Sequence, residues 1–162
     1  MRYCTIRALA VAAAVLFGLS FGLAQTPPGK QPQRGAVAGK HDMHHEAMDA
    51  CARACSDCDR ACESCATHCA QMTASGQAEH LKSLQTCRDC ASFCSAAAQI
   101  VARHGPFSDL ICGSCAEACA RCGKACEQHP NDAHMKQCAE ECRKCEKACR
   151  EMVQHMGGGR NK

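Results

Sequence analysis

Tryptophan is absent from this chain, tyrosine occurs once, and phenylalanine occurs four times in 162 residues. Stacking on bases needs aromatic faces, and beyond residue 24 only Phe93 and Phe107 supply any. The net charge of +3 drops by two, to +1, without Arg2 and Arg7, so there is no basic field either. These absences exclude nucleic acid as a partner. Branched aliphatics are equally scarce. Beyond residue 24 the chain holds ten Val, Ile, Leu and Phe residues in total, far under the share of about 20% below which chains usually stay unfolded. An ordinary aliphatic core is ruled out. A β-rich fold goes with it, because strands draw on β-branched and aromatic side chains. No Ser/His/Asp or separate Cys/His constellation marks a nucleophile and its base, so the chain reads as a non-enzyme.

What fills the gap is sulfur, with 19 Cys and 7 Met. Before the cysteines begin in earnest, residues 1–24 read as a secretory signal peptide: a basic start at Arg2 and Arg7, an apolar run from Ala8 to Leu19, and small residues in Gly22-Leu23-Ala24. The run is shorter than the ~20 residues of a membrane span, so no stable span is expected once the leader is removed. The leader lacks a twin-Arg pair and a lipoprotein cysteine, which makes it Sec-like and places the product outside the cytoplasm, in the periplasm. Residues 25–40, rich in Pro, Gly, Gln and Lys, read as a flexible linker. Residues 41–156 form the Cys-rich domain and 157–162 a disordered, Gly-rich tail.

Cys4 lies in the leader. The other cysteines fall into four groups: Cys51, Cys55, Cys58, Cys62, Cys65 and Cys69; Cys87, Cys90 and Cys94; Cys112, Cys115, Cys119, Cys122 and Cys126; and Cys138, Cys142, Cys145 and Cys149. Steps of 3 and 4 alternate inside each group without exception. That period draws one stripe along an α-helix. Between the cysteines stand Ala, Glu, Arg, Lys, Asp and Ser, which form helix or face water. The spacing predicts helices at about 44–74, 78–104, 106–128 and 132–155. Punctuation agrees: Ser75-Gly76 ends the first, His104-Gly105-Pro106 separates the second from the third, Pro130 stops the third, and Asn131 or Asp132 caps the fourth. Short connections make neighbours antiparallel, so the fold class is all-α, an up-down-up-down four-helix bundle with a Cys-lined core.

A tube of thiols has several uses. A disulfide framework conflicts with geometry: facing helices sit about 8–10 Å apart, whereas bridged Cα atoms lie within about 7 Å. Structural zinc takes four ligands in closed sites, often from turns, and these pairs lie inside helices. Iron–sulfur motifs gather four cysteines round one centre, a grouping that an unbroken stripe lacks. Mere packing would have used Leu, which does not oxidise. Soft thiolates select Cu(I), and a cysteine at i and i+4 offers two sulfurs on one face. Eight such pairs occur, leaving Cys87 and Cys112 to bridge to neighbours. Charge agrees: buried thiolates are prohibitive alone, and one Cu(I) per thiolate gives a neutral core, hence about 18 ions. A thiol redox protein working through disulfides and a zinc–thiolate store stand as alternatives.

The ends of the bundle differ. Extending the stripes at one end gives Met72, His129, His134 and Met135, with His80 one heptad before Cys87. These residues line a mouth through which metal passes. At the other end Ile100, Val101, Phe107, Leu110 and Ile111 form a plug, accompanied by Met48, Met152 and Met156. The stretch from His41 to Met48 (HDMHHEAM) is a further metal-binding tract.

Segments such as CARACSDCDRACESCATHC and CAEECRKCEKAC resemble the bacterial copper storage proteins over residues 41–156. The resemblance implies a four-helix bundle filled with Cu(I)–thiolate sites, assembled as a homotetramer. It also implies a mouth lined by His and Met, and exchange with copper donor or acceptor proteins. Exported members of that family can carry a twin-Arg leader, a point at which this chain departs.

Overall fold

Small residues beside the sulfurs let the helices pack closely. The computed structural model describes residues 38–157, and the side chains from residue 43 onward. Four helices follow one another: α1 (Ala38–Ala74), α2 (His80–Ala102), α3 (Ser108–Cys126) and α4 (Ala133–Gly157). Among the described residues there is no strand. Helix α1 packs on α2 and α4, and α3 packs on the same two, while the diagonal backbones stay apart. The start of α1 meets the end of α4, as Cys51 faces Cys149, so neighbours run antiparallel. The expected bundle is present. The segments 1–24, 25–37 and 158–162 lie outside the described residues. Helix α1 already includes Ala38, Gly39 and Lys40, which belong to the stretch read as linker.

Every cysteine from Cys51 to Cys149 is buried, at 2% exposure or less. The rest of the core is Ala52, Ala66, Ala91, Ala97, Ala116, Ala139, Met48, Met135, Met152 and Val101. Free thiols behave as small hydrophobes, so this core collapses without leucine. Charged residues keep to the outside, where Arg143 joins Glu127 on the α3–α4 connection and Glu146 one turn along α4. Such exposed pairs contribute about 0–1 kcal/mol each. No helix among the described residues is long and apolar enough to cross a membrane.

The punctuation is realised with two changes. Helix α1 ends on Gly76 at φ +94°, with the Gln77 amide donating back to the Met72 carbonyl, a left-handed cap that suits glycine. Helix α2 ends on the same motif, but His104 (φ +52°) takes the left-handed position rather than the adjacent glycine. Gly105 donates to the Ile100 carbonyl instead, and a Cβ there would sit 3.0 Å from that oxygen. Helix α3 starts at Ser108, and Pro106 precedes it in the turn. Asp132 is the cap of α4: its Oδ1 accepts from the amides of His134 (2.9 Å) and Met135 (3.2 Å).

The plug is narrower than expected. Val101 is fully buried and Ile111 packs on the core, but Phe107 and Leu110 are 63% and 65% exposed. They lie in the first turn of α3 and just before it, off the face that the stripe defines. Met48 and Met152 close this end with Val101.

Candidate metal centre

Each stripe places its sulfurs on the bundle axis, where they meet from all four helices. Cys58 on α1 lies 3.8 Å from Cys119 on α3, and Cys87 on α2 lies 3.9 Å from Cys138 on α4. Sulfurs thus touch across diagonals that the backbones do not span. The shortest contacts, Cys55–Cys149 and Cys94–Cys119, are 3.5 Å. A disulfide is about 2.05 Å long, and all cysteines from Cys51 to Cys149 are free thiols.

The spacing suits shared metal ions. With metal–thiolate bonds of about 2.3 Å, ligand sulfurs lie about 4.0 Å apart round a trigonal ion and about 4.6 Å apart round a linear one. Several groups of four sulfurs fall within 4.8 Å of one another: Cys55, Cys115, Cys145 and Cys149; Cys58, Cys90, Cys94 and Cys119; Cys58, Cys62, Cys90 and Cys142; Cys62, Cys122, Cys138 and Cys142; Cys65, Cys87, Cys126 and Cys138. These groups overlap. Cys58, Cys62, Cys90, Cys138 and Cys142 each belong to two of them. Isolated structural zinc sites keep four ligands to one ion, whereas ions taking two or three soft sulfurs suit a continuous array of overlapping groups. Burial pushes the Cys69 thiol up to about 12, reinforced by the neighbouring Cys65. Cys62, hydrogen-bonded with Cys122, Cys138, Cys142 and Cys58, is likewise held above the ordinary thiol range. Cys58 and Cys122, to which neighbouring thiols donate, are shifted the other way. Thiols thus divide between proton holders such as Cys62 and Cys69 and acceptors such as Cys58 and Cys122, and an arriving cation displaces the protons that the holders carry.

The end formed by the C-termini of α1 and α3 and the N-termini of α2 and α4 gathers all five of the expected non-cysteine residues. Met135, at 0% exposure, sits inside the tube, with Sδ 3.4 Å from both Cys65 and Cys69. His80 and His129 stack with centroids 4.1 Å apart, and Ser83 lies 3.3 Å from His129 Nε2. His80 is buried with no hydrogen bond at either ring nitrogen. A buried polar group left so costs about 1–3 kcal/mol, so this imidazole is poised for something it does not touch in the metal-free fold. Met72, half-buried, lines an open cleft of ≈ 860 Å³ together with His80, His129 and Asp132. His134 is exposed and stacks at 4.5 Å on His68.

His68 and Asp132 were not legible as site residues. His68 stands one position off the α1 stripe, where a histidine usually faces water, and Asp132 reads as a cap alone. In the fold His68 Nε2 lies 2.6 Å from Asp132 Oδ2, which is also 3.7 Å from His80 Nε2. The Asp132 carboxyl is held below its ordinary range: burial would raise it, but the His68 hydrogen bond and the Met135 amide outweigh that. The usable signal was direction: any His or Asp in the last turns of α1 or the first of α4 shares this end.

The family described as copper storage protein matches residues 41–154. The chain belongs to the copper storage protein family. It is similar to a cytosolic copper storage protein from Streptomyces lividans holding five coppers, at 35% identity and a TM-score of 0.65 over 70% of this chain and 97% of that one. It is also similar to the Cu(I)-bound copper storage protein BsCsp3, at 34% identity and a TM-score of 0.62 over 66% of this chain and 98% of that one. A sequence relative, the uncharacterized cysteine-rich protein YhjQ of Bacillus subtilis, is 36% identical over 85 residues, which are 52% of this chain and 76% of that protein.

Proposed function

We propose that this copper storage protein holds Cu(I) in bulk along its axis, for supply to copper proteins or for detoxification. The observation that carries this reading is the set of overlapping sulfur groups within 4.8 Å of one another, all buried and none crosslinked. Electroneutrality sets the capacity. Each Cu(I) replaces one thiol proton, so Cys51 to Cys149 take up about 18 ions and release about as many protons. No bond in the cargo is made or broken beyond ligand exchange, so the role is storage and not catalysis.

Copper enters and leaves at the end that carries His80, His129, His134, Met72 and Met135. Imidazoles at the rim bind the ion first, and Met135 passes it to Cys65 and Cys69, whose sulfurs it already touches. Replacing Met72, His80, His129 and Met135 together slows loading and unloading and leaves capacity nearly intact. Residues 1–24 direct the chain to the periplasm, the stretch from 25 up to helix α1 links it to the bundle, and the assembled form is a homotetramer that exchanges copper with donor and acceptor proteins. The test is an anaerobic titration of reduced protein with Cu(I). Saturation near 18 supports storage, and fewer than about four tight sites turns the reading toward a disulfide-based redox role.

A further inference from the structure

The end of the bundle opposite the mouth carries histidines that the sulfur tube does not use. His45 and Asp49 stand at i and i+4 on α1, so their side chains share one face. His104, at the C-terminal cap of α2, reaches that face: its ring lies 4.3 Å from the His45 ring, and its Nε2 is 3.7 Å from Asp49 Oδ1. We propose that His45, Asp49 and His104 form a binding site for a borderline divalent cation, of the Zn(II) or Cu(II) class, separate from the thiol tube.

Spacing, electrostatics and backbone support it independently. Two ligand atoms each about 2.1 Å from a tetrahedral ion lie about 3.4 Å apart, close to the observed His104–Asp49 separation. The carbonyl end of α2 lies beside the site, and a helix C-terminus favours positive charge. His104 occupies a left-handed position (φ +52°) that glycine or asparagine normally fills, at the end of α2 that faces α1. Non-glycine residues persist in that region where surrounding contacts over-determine them; here those contacts are His45 and Asp49. Asp49 is 56% and His104 30% exposed on the side chain, which leaves a position open for water.

The donor chemistry differs from that of the core. Imidazole and carboxylate suit Zn(II) and Cu(II), and thiolate suits Cu(I). One chain therefore sorts ions by hardness: divalent cations at this end, monovalent copper in the tube. The tract from His41 to Met48 supplies one ligand, His45, and the other two come from outside it.

Crystals of the reduced protein grown with Zn(II) test the site by anomalous scattering. A zinc peak about 2.1 Å from a nitrogen of each histidine and from the Asp49 carboxylate is expected, and it disappears in His104→Gly and in Asp49→Asn. Glycine suits the left-handed cap, so His104→Gly keeps the fold. Affinity is read on Cu(I)-filled protein given one equivalent of Cu(II). Paramagnetic resonance shows coupling to imidazole nitrogen, and binding weakens about tenfold or more in His104→Gly but not in His44→Ala, a change at an exposed neighbour. Absence of zinc at these residues, or Cu(II) binding that is equal in His104→Gly and the parent, overturns the proposal. A chain that shows the zinc peak and takes up no Cu(I) sinks the storage reading and leaves this site standing.

Discussion

The two ends of the bundle continue the same four stripes and close in different ways. Each is sealed by a buried methionine, Met135 at one and Met152 at the other. Met135 receives hydrogen bonds at its sulfur from Cys65 and Cys69, and its amide donates to Asp132, which lines the cleft with His80 and His129. Met152 is joined by Met48 and Val101, with Ile111 against them. Geometry alone therefore does not make a mouth. At one end a thioether touches the cysteine sulfurs and two stacked imidazoles lie beside it, and at the other the thioethers pack with Val101 and Ile111.

The largest expected effect would flatten the contrast between the ends. Copper bridges sulfurs that only the fold brings together and so binds the folded chain more tightly than the unfolded one, and loading raises the thermal midpoint by more than about 15 °C. Calorimetry on metal-free and loaded protein reads it. A midpoint unchanged by Cu(I) contradicts filling of the axis. Next comes the pair of methionines. Met135→Ala and Met152→Ala each lose about 2–5 kcal/mol in the metal-free protein, since both side chains are fully buried. Stopped-flow loading separates them: it slows in Met135→Ala and is unchanged in Met152→Ala. Equal slowing in both would mean that copper passes through either end.

The third effect is one of pH. The folded-state pKa of Cys69 is raised from 9.0 to about 12, so its neutral form is the one that the fold favours. The stability this contributes is present in full below pH 9.0 and is lost as pH rises toward about 12. Metal-free protein accordingly weakens over that window. Loaded protein, whose thiols have already given up their protons, does not. Denaturant melts of both forms across the window check this. The smallest effect compares the caps. Gly76→Ala at φ +94° costs about 1 kcal/mol, and His104→Gly at φ +52° gains about 0.5–1 kcal/mol in the absence of divalent metal. Urea midpoints for the two variants should move in opposite directions.

Much of the fold was legible because the cysteines mark it twice, as a helical period and as the buried face. The ends of α1 and α4 were legible from Gly76 and Asp132, whose side-chain chemistry names their positions. The end of α2 was legible from His104-Gly105-Pro106 to within two residues, but not which of these residues turns left-handed. Its glycine sits beside the left-handed residue, because Gly105 is needed for its close approach to Ile100. Phe107 and Leu110 were misplaced as plug because apolar character suggested burial, whereas the turn between α2 and α3 sets which way they face. Of the residues gathered at the end near Met135, Met72, His80, His129 and His134 were reached by extending the stripes, and His68 was not, since it stands off the stripe and meets Asp132 and His134 only in the fold.

By itself the sequence determined the period, and with it four helices, their sulfur faces and a core made chiefly of thiols, because a 3-4 repeat has one helical solution and only ten Val, Ile, Leu and Phe residues lie beyond residue 24. Tertiary structure alone decided which sulfurs from different helices come within 3.5–4.0 Å. It also decided that His68 meets Asp132 at one end and that His104 meets His45 and Asp49 at the other. The reason is physical. Local spacing fixes the face of a helix, but rotation and axial offset between helices are settled only when side chains from separate segments pack into the same space.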